Sequence, residues 1–91
     1  MTLEDLRARV DQLDEALVRL LNERSACALE IGRLKRELGL AVYQPEREAE
    51  VLRRVKQAAR DAGGPLTPEA MARLFERIID EARGLELKAV R

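Results

Sequence analysis

The sequence predicts an all-α fold in which one long helix is followed by two shorter ones. Apolar residues recur every three or four positions, and no segment alternates between apolar and polar residues as a half-buried strand does. Glycine and proline interrupt the 91-residue chain near positions 39, 45 and 63–68, and these residues end or begin helices. We therefore expect a single domain with helices over about residues 3–38, 45–62 and 67–86, and with 87–91 as a tail or linker.

The first helix is predicted from an apolar seam whose steps alternate between three and four residues. Its members are Leu3, Leu6, Val10, Leu13, Leu17, Leu20, Cys27, Ile31, Leu34 and Leu38, and Gly39 follows as a stop. Such a helix is about 54 Å long at ~1.5 Å per residue, whereas a compact monomer of this size has a radius of gyration near ~12 Å. The seam needs a second chain to cover it, so we expect an intertwined homodimer, a six-helix bundle.

The second and third helices begin at prolines, which suit the first helical turn. Pro45 starts the second helix, and the segment 63–65 ends it. Thr67 is a good N-cap and Pro68 a good first residue for the third helix. Both helices carry an apolar stripe at helical spacing, made of Leu52, Val55, Ala59 and Ala62 in the second and of Met71, Leu74, Phe75, Ile78, Ile79, Ala82 and Leu85 in the third.

The composition excludes several kinds of function. The formal net charge is zero, so the chain lacks the overall field that holds nucleic acid or an anionic membrane. With no histidine and one cysteine, it cannot build a usual zinc site, a Ser–His or Cys–His nucleophile, or an internal disulfide. That cysteine, Cys27, lies in the seam and is predicted to be buried and unreactive. We find no signal peptide or membrane span and expect a cytoplasmic location.

A few charges do not fit a solvated surface, although the mixed-sign segments 46–56 and 76–83 are typical of one. Arg24 occupies a position in the apolar seam, where it either snorkels, pairs with a neighbouring acid, or belongs to a site. Lys35 lies three turns and about 20° further on, so both cations share one face and can clamp a small dianion. Gly32 either removes bulk from that face or allows close helix packing.

Four further residues are candidates for the same site. Arg7 lies about 100° off the face of Arg24 and ~25 Å away, so it can reach the same ligand only from a partner chain. Arg47 and Glu48 open the second helix, where the preceding loop can return them toward the first helix. Glu86 lies late in the third helix and is either a site residue or ordinary surface.

Several short motifs follow one another along the chain at characteristic spacings. They are Leu6-Arg7, Leu13-Asp14-Glu15, Leu20-Leu21-Asn22-Glu23-Arg24, Ile31-Gly32-Arg33-Leu34-Lys35, Pro45-Glu46-Arg47-Glu48, Arg73-Leu74-Phe75 and Ile78-Ile79. Together they closely resemble the all-helical, AroQ-type chorismate mutases over about residues 3–86. The resemblance implies a homodimer with two sites, each built from both chains. These sites would convert chorismate to prephenate in phenylalanine and tyrosine biosynthesis, without metal or cofactor.

The resemblance also implies roles for the four cations. Arg24 and Arg7 of the partner subunit would bind the two carboxylates of chorismate. Lys35 would hold a carboxylate and the ether oxygen, and Arg47 would add positive charge. The reaction is an intramolecular [3,3] rearrangement, so selecting the compact conformer and placing cations at the breaking C–O bond suffices for catalysis.

The polar positions of the family pattern include two departures. Glu48 would accept the substrate hydroxyl, and Gln44, where the family often has an acid, can still hydrogen-bond that hydroxyl. Ala82 stands where the family sometimes has a small hydroxyl residue. Glu86 falls at the position that donates a hydrogen bond to the ether oxygen. Because an ionised carboxylate cannot donate, we expect Glu86 to be protonated in the working enzyme and turnover to fall as pH rises.

Three alternatives stay open from the sequence. A related helical domain could instead eliminate pyruvate from isochorismate at a similar cationic site. The chain could be a mutase or regulatory domain fused to, or associated with, a DAHP synthase (3-deoxy-arabino-heptulosonate 7-phosphate synthase). Its segments 40–43 and 47–48 look most like the mutase domains at the N-terminus of such synthases. A dimeric helical interaction module without a ligand is the third, and it predicts that Arg24→Ala and Lys35→Ala leave function intact.

Overall fold

The computed structural model describes residues 1–89 and confirms the all-helical fold. Helix α1 spans Leu3–Leu38, α2 spans Pro45–Ala62 and α3 spans Pro68–Ala89, and these described residues include no strand. The first two helices have the predicted bounds, whereas α3 continues beyond position 86. Residues 87–89 of the predicted tail are therefore helical, and its residues 90 and 91 lie outside the described residues.

The helix ends follow from the local sequence. Thr2 and Asp5 form a capping box at the start of α1: the Asp5 amide donates to Thr2 Oγ1 at 3.1 Å, and the Thr2 amide donates to the Asp5 carboxylate at 3.0 Å. The hydrogen bond from the Thr2 backbone to the carboxylate lowers the pKa of Asp5 below its ordinary value. Gly39 and Gly63 end α1 and α2 at φ +69° and +62°, in the left-handed region that favours glycine. Thr67 caps α3 as predicted.

Helix α3 packs against both α1 and α2 and holds the chain together. The buried apolar residues in the described part of the chain are Ala28, Ala59, Ala72 and Ile79, three of which are alanines. The chain measures 54 × 24 × 15 Å and has a radius of gyration of 16.0 Å, well above the ~12 Å of a compact monomer of this length. The long helix α1 thus extends beyond the body that it forms with α2 and α3.

Most of the apolar seam of α1 is exposed in the single chain. Its exposed members keep between 44% and 70% of their surface accessible, and they are Leu3, Leu6, Val10, Leu13, Leu17, Leu20, Ile31, Leu34 and Leu38. The prediction that Cys27 is buried is wrong for the single chain, because α3 packs on the neighbouring face that carries Ala28 and Gly32. Despite this exposed seam, each helix over residues 1–89 is too short or too polar to cross a membrane.

Candidate active site

A cavity of about 440 Å³ lies where α1, α3 and the start of α2 meet. Its charged lining residues are Arg24, Lys35, Arg47, Glu48, Arg83 and Glu86. Four of these are cationic and two are acidic, so the lining carries a formal excess of two positive charges. The remaining wall is mostly apolar, with Cys27, Ala28, Ile31, Val42, Val51, Ile79 and Ala82 beside the amide of Gln44. A concave, mainly apolar wall with a few converging charges is typical of a site for a small anion.

Lys35 and Glu86 form a largely buried ion pair in the cavity wall. The Lys35 ammonium Nζ donates to Oε1 of Glu86 at 3.0 Å and to the backbone carbonyl of Val42 at 2.9 Å. Both charged side chains are only 12% exposed. An ammonium carries three protons, so these two acceptors leave one proton of Lys35 for a ligand. The two hydrogen bonds also fix the position of the Nζ atom at the end of the long Lys35 side chain.

Gly32 allows α3 to approach α1 closely beside this ion pair. A Cβ atom at position 32 would lie 3.0 Å from Cα of Glu86, and 3.1 Å from both the carbonyl oxygen of Glu86 and Cβ of Ala89. These distances are shorter than the ordinary carbon–carbon contact of ~3.5–4.0 Å. Of the two roles considered for Gly32, the structure supports close packing of α1 against α3. Gly32 lies three residues before Lys35, so this close contact with Glu86 is within one helical turn of the ion pair.

A second ion pair joins α3 to the first turn of α2. Arg83 Nε donates to Oε2 of Glu48 at 2.9 Å, and a terminal nitrogen of the same guanidinium donates to Oε1 at 2.6 Å. The hydrogen bonds to Glu48 raise the pKa of Arg83 above its ordinary value. The guanidinium carbon also lies 5.2 Å from the ring centre of Tyr43, within the range of a cation–π interaction. Arg83 therefore links three segments of the chain.

Besides Glu48, the start of α2 presents two more predicted site residues to the cavity, Gln44 and Arg47. Gln44 occupies the N-cap position, and its carbonyl accepts the backbone amides of Arg47 and Glu48, each at 3.1 Å. Its side chain makes no capping hydrogen bond, and Gln44 lines the cavity. The Arg47 guanidinium donates to Glu50 at 2.5 Å, and about half of each side chain is exposed. Arg47 thus lies at the solvent-exposed side of the cavity.

Six of the seven predicted site residues line this one cavity, and they are Arg24, Lys35, Gln44, Arg47, Glu48 and Glu86. Arg24 is half-buried, and within residues 1–89 it makes no ion pair, since Glu30 pairs with Arg33 instead. Arg7 does not line the cavity. It is exposed on the N-terminal half of α1, seventeen residues or ~25 Å of helix from Arg24.

Sequence reasoning misses Arg83 as a site residue. The prediction that segment 76–83 is a solvated face is wrong at this position, because the Arg83 side chain is 29% exposed and lines the cavity. One feature of the sequence could have identified Arg83: it lies three residues before Glu86, so both side chains are on one side of α3. The segment also contains charges such as the exposed pair of Arg77 and Glu81, and its overall composition is therefore that of a solvated helix.

The sequence and the fold of this chain are similar to those of known proteins. A family model described as chorismate mutase type II matches residues 6–87. A structure of chorismate mutase (form II) from Thermus thermophilus has a TM-score of 0.85 and 38% identity, and the match covers 92% of each chain. Chorismate mutase from Helicobacter pylori, solved in complex with prephenate, has a TM-score of 0.80 and 32% identity, covering 97% of this chain and 92% of that one.

A longer relative also matches almost all of this chain. A bifunctional chorismate mutase/prephenate dehydratase from Pseudomonas aeruginosa is 43% identical over 89 residues, which is 92% of this chain. The matched part is 24% of that relative, and the same share holds for a bifunctional relative of the same name from Aquifex aeolicus. The chain therefore spans about a quarter of the length of these curated relatives.

Proposed function

We propose a function from one premise: the chain belongs to the chorismate mutase type II family. Its activity is then the rearrangement of chorismate to prephenate, and the cavity between α1, α2 and α3 is the active site. The observation that carries the proposal is the charge of this cavity. Cations outnumber acids in a wall that is otherwise largely apolar, which suits a substrate with two carboxylates. The prephenate held by the Helicobacter pylori relative supports the same ligand class.

The cations of the cavity bind and orient the substrate. Arg24 and the partner subunit's Arg7 each bind one carboxylate, for which the forked guanidinium is well suited. The remaining proton of Lys35 reaches a carboxylate and the ether oxygen, while Arg47 adds positive charge from the exposed side. Binding both ends of the substrate selects the compact conformer that the rearrangement requires. No nucleophile or proton transfer is needed, which accounts for a working site without histidine.

For Glu86 to donate the second hydrogen bond to the ether oxygen, as the family resemblance implies, its carboxyl group must carry a proton. Its Oε1 atom accepts from Lys35, so Oε2 is the atom that can carry the proton. Lys35 and Glu86 then supply two neighbouring donors at the oxygen of the breaking C–O bond, where negative charge develops in the transition state. These donors are fixed before the reaction by the contacts described above, so little reorganisation is required.

The active form in this proposal is the intertwined homodimer. The exposed seam of α1 supports it, because nine apolar side chains along one helix stay in water without a second copy. The position of Arg7 supports it as well, since this residue is exposed and too far along α1 to reach the cavity of its own chain. A second copy of α1 would cover the seam and supply Arg7 to the cavity of its partner.

The decisive experiment is the loss of chorismate absorbance with purified protein. We expect turnover by the wild type and a loss of at least ~30-fold in kcat/KM for Arg24→Ala, since truncating one member of a desolvated charge pair typically costs ~2–5 kcal/mol. Arg33→Ala is the matched control, because Arg33 is an exposed α1 arginine paired with Glu30 outside the cavity. Its activity should equal that of the wild type.

Three outcomes would overturn parts of the proposal. Absence of chorismate turnover by the wild type across a range of pH would remove the mutase function. Pyruvate release from isochorismate, assayed in parallel, would favour the lyase alternative. Equal turnover by the wild type and by Arg24→Ala would leave the fold but remove the cavity as the active site.

Association with a second enzyme of the same pathway extends the proposal. The bifunctional relatives join their mutase to prephenate dehydratase, not to the DAHP synthase that was one alternative from the sequence. Both arrangements put a mutase beside another enzyme of aromatic amino acid biosynthesis. The full open reading frame tests the fusion, and cell fractionation tests the predicted cytoplasmic location.

A further inference from the structure

We propose that Arg83 is a positioning residue that fixes the Glu48 carboxylate for the hydroxyl group of the substrate. The inference rests on the proposed function, because only there does Glu48 accept a substrate hydroxyl. Arg83 is a cavity residue to which the family resemblance assigns no role. Its side chain is committed to another residue of the cavity, so it acts on the substrate through that residue.

The bidentate geometry is the first support. Both oxygens of Glu48 accept from the one guanidinium, at 2.9 and 2.6 Å, and the two side chains are 29% and 25% exposed. The terminal torsion of a glutamate side chain is broad, so a carboxylate without such a partner samples many orientations. A planar, forked donor that binds both oxygens removes that freedom. Each oxygen keeps one acceptor site for a ligand, because a carboxylate has about four in total.

The contact with Tyr43 is the second support. Arg83 lies against the ring of Tyr43, and Lys35 binds the carbonyl of the preceding residue, Val42. Two cavity cations thus hold consecutive residues of the loop that leads into α2. Gln44, which also lines the cavity, follows directly. Arg83 therefore fixes both groups that would contact the substrate hydroxyl, the carboxylate of Glu48 directly and the amide of Gln44 through the loop.

A double-mutant cycle tests whether Arg83 acts through Glu48. We expect Arg83→Gln to raise KM for chorismate by about five- to tenfold and to change kcat by less than about twofold, because a hydroxyl contact binds substrate and transition state alike. Glu48→Gln should have a similar effect, and Arg83→Gln in the Glu48→Gln background should add less than about twofold. Arg83→Lys keeps the positive charge but loses the forked guanidinium. Its KM should therefore lie between those of the wild type and Arg83→Gln.

Arg77→Gln is the matched control, since Arg77 pairs with Glu81 on the same helix but is 77% exposed. Its KM and kcat should equal those of the wild type. Independent, multiplicative effects of Arg83→Gln and Glu48→Gln would overturn the proposal and indicate direct contact between Arg83 and the substrate. A fall in kcat that follows the folded fraction measured by circular dichroism, with KM unchanged in both Arg83→Gln and Arg83→Lys, would overturn it in favour of a structural role. A wild type without chorismate turnover would remove the proposed function, and this inference with it.

Discussion

Replacing Gly32 by alanine tests whether the close approach of α1 and α3 sets the catalytic geometry. The added methyl group would lie 3.0 Å from Cα of Glu86 and 3.1 Å from its carbonyl oxygen. Both neighbours are backbone atoms, so no flexible side chain can turn away. Helix α3 must therefore move as a unit beside the ion pair of Lys35 and Glu86.

The size of that movement follows from the contact distances. Raising the carbon–carbon distance from 3.0 Å to a normal ~3.5 Å requires a shift of about 0.5 Å. The same shift would lengthen the 3.0 Å bond between Lys35 and Glu86 to ~3.5 Å, beyond hydrogen-bond distance. Since a misplacement of ~1 Å can cost ~100-fold in rate, we expect kcat/KM of Gly32→Ala to fall by about tenfold. The free energy of unfolding should change by only ~0–2 kcal/mol. Alanine adds ~1 kcal/mol of helix propensity, which offsets part of an overpacking cost of ~1–3 kcal/mol.

The assay measures kcat/KM by chorismate absorbance and the melting temperature by circular dichroism. Gly84→Ala is the matched control on α3, since a Cβ at position 84 meets no atom within 4 Å. The control should gain ~1 kcal/mol of stability, raise the melting temperature by ~4–8 °C and keep full activity. A Gly32→Ala protein with kcat/KM within twofold of the wild type would refute the idea that this contact positions Glu86.

Three further predictions follow from the subunit arrangement, the first cap and the ion pair. Arg7→Ala and Arg24→Ala should each be inactive, but equal amounts refolded together should regain about a quarter of wild-type turnover, because half of the dimers are hybrids with one intact site; no recovery would mean that sites are not shared. The folded-state pKa of Asp5 is lowered, so its contribution to stability is present above its unfolded value of ~3.9 and is lost as pH falls through the folded value. Asp5→Asn should remove this acid dependence of the melting temperature, because an amide side chain does not titrate; an unchanged dependence would exclude Asp5 as its cause. Glu86→Gln keeps a hydrogen-bond donor and should retain much of the turnover, whereas Glu86→Leu can neither donate nor hold Lys35 and should lose most of it; equal turnover by the two variants would remove Glu86 from the mechanism.

The helices and much of the cavity could be predicted because they depend on local rules. Gly39 and Pro45 punctuate the chain by backbone geometry, which any neighbouring fold must respect. The rotation per residue is equally local, and it places Arg24 and Lys35 on one side of α1, where both line the cavity. The length of α1 is predictable for the same reason, and its exposed seam is the basis of the proposed dimer.

What could not be predicted depends on contacts between helices. The pair of Lys35 and Glu86 joins residues 51 positions apart, and its geometry follows from a close approach at Gly32 that the sequence leaves undecided between two roles. Arg83 is missed because its partner, Glu48, lies 35 residues away on another helix. Helical periodicity gives the side of α3 on which a residue lies, but not which element covers that side.

The acids of the cavity limit how far its charge alone can explain substrate binding. If the excess of positive charge were all that mattered, removing Glu48 would strengthen the binding of a dianion. Each acid, however, holds one cavity cation at hydrogen-bond distance, Glu48 holding Arg83 and Glu86 holding Lys35. A charge that is fixed in place acts on one position in the transition state, whereas a loose cation is solvated and acts on no particular position. We therefore expect the loss of Glu48 to weaken substrate binding, measured as a higher KM, although it raises the positive charge of the cavity, because orientation outweighs net charge in this site.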